Sequence, residues 1–154
     1  MTALGTATLA AQPKRPRPSV VFFMTDDHGA WATSVYGCGD MKTPNIERLA
    51  RGGMRFDNAF AATPVCSPSR VTYFTGKLPC AHGVQDWLVP KESYGPTATQ
   101  VLKNHESFSE VLARNGYHVG LSGKWHMGAD EHTQEGFSDW YTVVGGGGGY
   151  KDPE

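Results

Sequence analysis

The chain has 154 residues, 39% of them hydrophobic and 19% charged, with a formal net charge of −1. That is about one domain's worth of sequence with enough apolar content for a core, so it is not the composition of a disordered chain. The near-neutral balance argues against a basic nucleic-acid surface or an acidic solvating arm, and no apolar run is long enough to span a membrane.

The opening MTALGTATLAAQ is mildly apolar and ends like an export-signal cleavage region, yet lacks the charged start and full apolar core of one. It reads either as an atypical export signal, which would send the protein to the periplasm or outside the cell, or as a disordered tail. With the basic, proline-rich PKRPRPS after it, residues 1–18 form a tail and linker, and the folded part is expected over 19–154.

SVVFFMTDDHG holds an uninterrupted apolar run, Val20 to Met24. Such a run suits a strand buried on both faces of a parallel sheet. Asp26 and Asp27 then fall just past its carboxyl end, where open α/β sheets bind ligands. Two adjacent carboxylates repel unless a cation lies near them, and all-oxygen ligation suits Ca²⁺ or Mg²⁺. A solvated Asp-Asp-His-Gly turn is the plainer alternative.

KTPNIERLARGG predicts a helix. Thr43 can cap it, Pro44 suits its first turn, Ile46, Leu49 and Ala50 share a face, and Gly52 or Gly53 ends it. MRFDNAF follows as a short strand or extended piece. In PVCSPSRVTYFTG, Ser67 can be the N-cap and Pro68 the first helical residue, with the helix running to about Thr75 and stopping at Gly76. Helix N–H groups then point towards Cys66, and Arg70 lies about one turn on, which makes a site for an anion beside a reactive side chain. Three cysteines do not make a disulfide framework or a zinc spacing. Cys38 and Cys80 read as buried thiols, with a Cys38–Cys80 bridge as the alternative.

SFSEVLARNGYHVGLSGKWH repeats the alternation of helix and strand. Ser107 and Glu110 form a capping box, Phe108, Val111 and Leu112 make the buried stripe, and Gly116 ends the helix before a strand in YHVGLSG. In an extended GKWH, Lys124 and His126 share a face by the period of two. A cation beside an acid–base group suits binding and breaking down an oxyanion ester. Strand and helices in this order argue an α/β fold.

These pieces together resemble the sulfatase family. CSPSR followed by VTYFTG matches its C-x-P-S-R-x-x-x-x-T-G signature, GYHVGLSGKWHMG looks like its second signature, and FFMTDDHG and KTPNIERLARGGMRFDNAF resemble the metal-binding start and the segment after it. The likeness covers most of Val20 to Gly128. It implies the N-terminal part of an alkaline-phosphatase-like domain, with a mostly parallel central sheet flanked by helices and truncated at its C-terminus. It also implies a sulfuric ester hydrolase acting on a carbohydrate or aryl sulfate, served by Ca²⁺ and by formylglycine made from Cys66.

In that family one hydroxyl of the hydrated aldehyde attacks sulfur, and loss of a proton from the second re-forms the aldehyde and frees sulfate, which a serine could not do. Residue by residue, Asp26 and Asp27 match calcium ligands, and Cys66 matches the nucleophile and a further ligand. Arg70 matches the arginine that steadies the hydrate, Lys124 the lysine on sulfate and formylglycine, and His126 the histidine that takes the second proton. His82 fits a family position and is given a structural role. The implied partners are a small-molecule or glycan sulfate ester and a formylglycine-generating maturation enzyme, with no nucleic acid and no membrane span.

The family's second acid–amide ligand pair has no counterpart up to Glu154, so an N-terminal fragment without activity of its own is expected. The five glycines 145–149 before Tyr150 to Pro153 resemble a loop of carbohydrate sulfatases. Two rival readings stand beside the sulfatase one: a phosphonate monoester or phosphodiester hydrolase of the same superfold, and an inactive, binding-only fragment.

Overall fold

The computed structural model of the chain describes residues 16–147. The proposed tail or export signal before residue 16, and Tyr150 to Pro153, lie outside the described residues. The fold is α/β, with short helices around one parallel pair of strands. No helix among the described residues is long and apolar enough to cross a membrane.

Helix α1, Pro44–Gly52, begins and ends where its proline and glycines place it. Thr43 precedes it but caps nothing: its hydroxyl instead accepts from Ser34 N–H at 3.0 Å and bonds the Ser34 hydroxyl at 2.7 Å. Leu49, expected on the buried face, is 72% exposed. The MRFDNAF segment forms no strand and lies on the surface.

Helix α2, Cys66–Thr75, starts two residues earlier than predicted. Ser67 is not its N-cap, because the Ser67 side chain is turned inward, fully buried, and accepts the Leu88 N–H at 3.1 Å. The stop is as expected: Gly76 takes φ 67° and its N–H closes on the Thr72 carbonyl at 2.8 Å, a left-handed end that favours glycine. Two four-residue turns follow, α3, Pro79–His82, and α4, Pro90–Ser93. Cys38 is half-buried and Cys80 exposed, and both are free thiols, so Cys80 is not the buried thiol predicted.

Helix α5, Phe108–Arg114, carries the predicted capping box. Glu110 N–H donates to the Ser107 hydroxyl at 3.3 Å, and Ser107 N–H to the Glu110 carboxylate at 2.6 Å. Phe108 reaches the core, but Val111 is 39% exposed and stays out of it.

Strand β1, Gly120–Lys124, pairs in parallel with β2, Asp139–Val143, in the register Gly120 to Asp139 through Lys124 to Val143. The crossover between them is irregular rather than helical. It holds together because it is itself core: Trp125 and Met127 are each 1% exposed and pack with Val71, Phe74, Leu88, Val101 and Leu102. Phe74 stacks on Phe108 at 4.6 Å between ring centres, and Trp125 meets Trp140 edge-on at 4.8 Å. Such aromatic pairs each contribute about 0.5–1.5 kcal/mol beyond the area they bury.

The Val20–Met24 run differs from its prediction. It is extended but joins no ladder, and Val21 and Phe23 are 91% and 84% exposed. Only one side is covered, where Phe22 stacks on Tyr73 of α2 at 4.4 Å. A cavity of about 600 Å³ touches both this run and β1, lined by Val20, Phe22, Met24, Phe74 and Leu121 among others, with Asp26, Arg70 and Lys124 on its wall. An apolar run predicts extended backbone, but a strand also needs a neighbour for its N–H and C=O groups. Among the described residues this run has none.

Candidate active site

Three segments converge on one carboxylate. The turn after the extended run supplies Asp26, the first two turns of α2 supply Cys66 and Arg70, and the last residue of β1 supplies Lys124. Lys124 Nζ donates to Asp26 Oδ2 at 2.9 Å, and Arg70 Nη2 donates to the same oxygen at 3.0 Å. Arg70 Nη1 also donates to the Lys124 carbonyl at 2.6 Å, which braces the guanidinium against the end of β1. Lys124 Nζ reaches the Cys66 sulfur at 3.2 Å, and that thiol points at Asp26 Oδ1 at 3.8 Å.

Burial alone would push the Asp26 carboxyl up. Hydrogen bonds and charge from Lys124, and then from Arg70, outweigh it and hold Asp26 below the ordinary carboxylate value. Cys66 is the first residue of a ten-residue helix, where free N–H groups and the helix dipole favour negative charge. Two cations, a helix start and a nucleophile thus face one spot. Such an arrangement suits an oxyanion beside the position-66 side chain.

Asp27 stands apart. It is exposed, and its backbone sits in the left-handed region at φ 50°. His126 also has a left-handed backbone, φ 55°, so the alternation of β1 stops at Lys124 and the period-two argument does not reach His126. Its ring is 1% exposed, and its Nε2 bonds the Leu88 carbonyl at 2.9 Å. Burial, above all, pushes its proton affinity below the ordinary histidine value. Non-glycine residues in this backbone region cost about 1–3 kcal/mol and cluster at functional sites; here two of the predicted site residues carry it.

His82 is buried between helices. Val84 N–H donates to its Nδ1 at 3.2 Å, so Nε2 carries the proton and donates to the Thr72 hydroxyl of α2 at 3.0 Å. This contact ties α3 to α2, in keeping with a structural role.

A calcium ion takes six to eight oxygens. Among the described residues no group of three or more His, Cys, Asp or Glu side chains could hold an ion, and Asp26 Oδ2 is already shared by two cations. These residues by themselves therefore do not fit a calcium ion.

A further polar residue of the crossover, Asp130, has no signal in the sequence. It is fully buried in the crossover, accepts the Gly145 N–H at 3.0 Å, and its carbonyl takes Trp140 Nε1 at 3.0 Å and the Thr142 hydroxyl at 2.7 Å. Nothing in the spacing of GKWHMGAD marks it, because the loop between His126 and Asp130 has no regular period.

The fold and site define an α/β protein whose cysteine opens a helix against an arginine, a lysine and a carboxylate. The chain belongs to the sulfatase family, whose family model, Sulfatase, matches residues 18–154. It is 34% identical over 158 residues to N-acetylglucosamine-6-O-sulfatase of Bacteroides thetaiotaomicron, covering 100% of this chain and 26% of that protein. It is 36% identical over 128 residues to human arylsulfatase A, covering 83% of this chain and 24% of the relative. Among solved structures it is similar to BT4656 in complex with its substrate D-glucosamine-2-N,6-O-disulfate, with a TM-score of 0.65 and 34% identity over 81% of this chain and 23% of that one. It is also similar to Ps i-CgsB in complex with k-i-k-neocarrahexaose, with a TM-score of 0.70 and 36% identity over 81% of this chain and 28% of that one. The chain spans about a quarter of the length of these relatives.

Proposed function

We propose that this chain carries the nucleophile end of an active site that hydrolyses a sulfate ester, with Cys66 converted to formylglycine. The observation that carries this reading is the meeting of Cys66, Asp26, Arg70 and Lys124 at the start of α2. A formylglycine at position 66 would supply a hydrated aldehyde, whose two hydroxyls would serve attack on sulfur and release of sulfate. Lys124 lies between the position-66 side chain and Asp26, so its charge can neutralise a bound sulfate. Arg70, braced by a carbonyl and a carboxylate, holds its planar donors in place for the position-66 side chain. His126 is the group proposed to accept a proton. Asp26 and Asp27 are proposed as two calcium ligands, with the remaining oxygens coming from outside the described residues.

The substrate class proposed is a carbohydrate sulfate, with an aryl sulfate as a surrogate. Support comes from the relative named for N-acetylglucosamine-6-O-sulfate and the structural neighbours solved with sugars. The partner proposed is a maturation enzyme that reads the C-x-P-S-R context.

The test uses the chain, with any continuation of its reading frame, made together with a formylglycine-generating enzyme. Peptide mass spectrometry is expected to show the Cys66 peptide lighter by about 18 Da, the loss of SH₂ against gain of O. The Cys80 peptide should keep its thiol mass. Where the frame extends to the length of the relatives, an aryl sulfate should turn over faster than the matching aryl phosphate. An unmodified Cys66 overturns the maturation, and faster turnover of the phosphate overturns the choice of ester.

A further inference from the structure

Two buried side-chain atoms among the described residues lack a hydrogen-bond partner, His126 Nδ1 and Asp130 Oδ1. They belong to residues four apart in the crossover between β1 and β2. Every other polar atom of both side chains is satisfied: His126 Nε2 meets the Leu88 carbonyl, and Asp130 Oδ2 accepts the Gly145 N–H. An orphaned buried polar atom is costly, at roughly 1–3 kcal/mol, and two in one loop call for a common explanation. A single buried water between two such atoms is the usual one.

We propose that Asp130 is the positioning residue for His126, its free Oδ1 addressing the free Nδ1 through one buried water molecule. The bond from Nε2–H to the Leu88 carbonyl leaves Nδ1 as the one ring atom able to take a proton. Each residue feels the other's charge: Asp130 favours the imidazolium, and His126 favours the carboxylate. The other charges on His126 come from Lys124 and Arg70, and both disfavour its protonation; the other charge on Asp130 comes from Glu131, which disfavours the carboxylate. Packed against the ring are the uncharged Trp87, 6.0 Å away edge-on, and Gly146. Among the described residues, Asp130 is thus the one charge acting on His126 that helps it hold a proton.

The loop that follows β2 holds the pair in place. A Cβ built on Gly146 would stand 2.6 Å from His126 Nδ1 and Cε1, so only glycine lets this backbone lie on the ring. Gly145, beside it, holds Asp130 Oδ2. The glycines after β2 therefore act on both members at once. Trp140 and Thr142 fix the Asp130 carbonyl, and the Ser93 carbonyl takes its N–H at 2.9 Å, so Asp130 is tied to β2 and to α4. The catalytic use of the pair rests on the proposed sulfate-ester hydrolysis; the pairing itself does not.

The experiment is NMR on the full chain labelled with ¹⁵N-histidine and ¹³C-aspartate, titrated with acid. His126 is expected as the Nε2–H tautomer, with a midpoint below that of an ordinary histidine. The Asp130 carboxyl carbon should shift at the His126 midpoint, since coupled groups titrate together. In Asp130→Asn the His126 midpoint should fall by about one pH unit, a roughly tenfold loss of proton affinity. Asp139→Asn, which removes the partner of exposed His118, should leave His126 where it was. An Nδ1–H tautomer, or independent titration of the two residues in the unmodified chain, overturns the proposal even if Asp130→Asn fails to fold. Neither readout depends on turnover, so a chain that cleaves no sulfate ester still decides the pairing.

Discussion

Lys124 is the residue on which most of the site depends, because its ammonium touches both the Asp26 carboxylate and the Cys66 sulfur. Lys124→Ala removes the larger of the two attractions that hold Asp26 ionised, leaving Arg70. The sign follows from linkage. A carboxylate depressed on folding stabilises the fold above its unfolded value, about 3.9, and that stability is lost as pH falls through the folded value. The Asp26 midpoint, read by carboxyl ¹³C NMR, should therefore rise in Lys124→Ala, and the acid-unfolding midpoint should rise with it. The stability change at neutral pH should stay within about 1 kcal/mol, since Lys124 and Asp26 are partly open to water. In a matured enzyme, turnover should drop by about 10²–10³, the usual cost of removing one donor aimed at developing charge. Unchanged turnover would remove Lys124 from the chemistry. Asp130 has the opposite sign: burial raises its carboxyl, so its stabilising contribution is present below about 3.9 and fades as pH rises through the folded value.

At the scale of elements, what could be read in advance was whatever depends on neighbours along the chain. The Ser107–Glu110 capping box closes within four residues and is present as predicted. Ser107→Ala should accordingly cost about 1 kcal/mol in chemical unfolding, the usual value of an N-cap. The stop of α2 at Gly76 and the grouping of Cys66 with Arg70 were legible for the same reason. What depends on distant chain was not. Ser67 has the chemistry of a cap but is claimed by the Leu88 N–H, 21 residues on. Strand periodicity puts His126 on the Lys124 face, but its own φ of 55° interrupts the alternation. Val20 to Met24 has the composition of a central strand, yet composition carries no information about which partner completes the ladder. The run of glycines 145–149 reads as a loop, and nothing in its composition shows that the Gly145 and Gly146 backbone packs against a buried carboxylate and a histidine ring. Gly146→Ala tests that contact. With φ 84° and a Cβ 2.6 Å from the ring, it should destabilise the fold by about 1–3 kcal/mol and perturb the His126 ring signals. Gly39→Ala, which meets nothing within 4 Å and needs no left-handed backbone, should leave those signals in place.

On the scale of the whole molecule, core and surface are out of balance. Among the described residues seven form the buried apolar cluster, while Val21, Phe23, Trp31, Met54 and Phe60 are each at least 77% exposed. Single exposed apolar side chains are ordinary, but several large ones beside an extended run with open N–H and C=O groups make a surface that pairs with whatever is near. In a solution of this polypeptide alone, what is near is another copy. The 154-residue chain should therefore associate as its concentration rises through the micromolar range, seen as a growing sedimentation coefficient, and should enhance the fluorescence of an apolar dye. Burying one phenylalanine side chain is worth about 1.5–3 kcal/mol, so Phe23→Lys should weaken association by at least about tenfold. A lysine there adds charge to an open edge, a device by which edge strands avoid pairing. The site should not notice, since Phe23 points to solvent while Phe22 packs on Tyr73. A chain that sediments as a monomer at every concentration and binds no dye would show that these side chains are covered in solution, and the extended run would then need a partner within the chain.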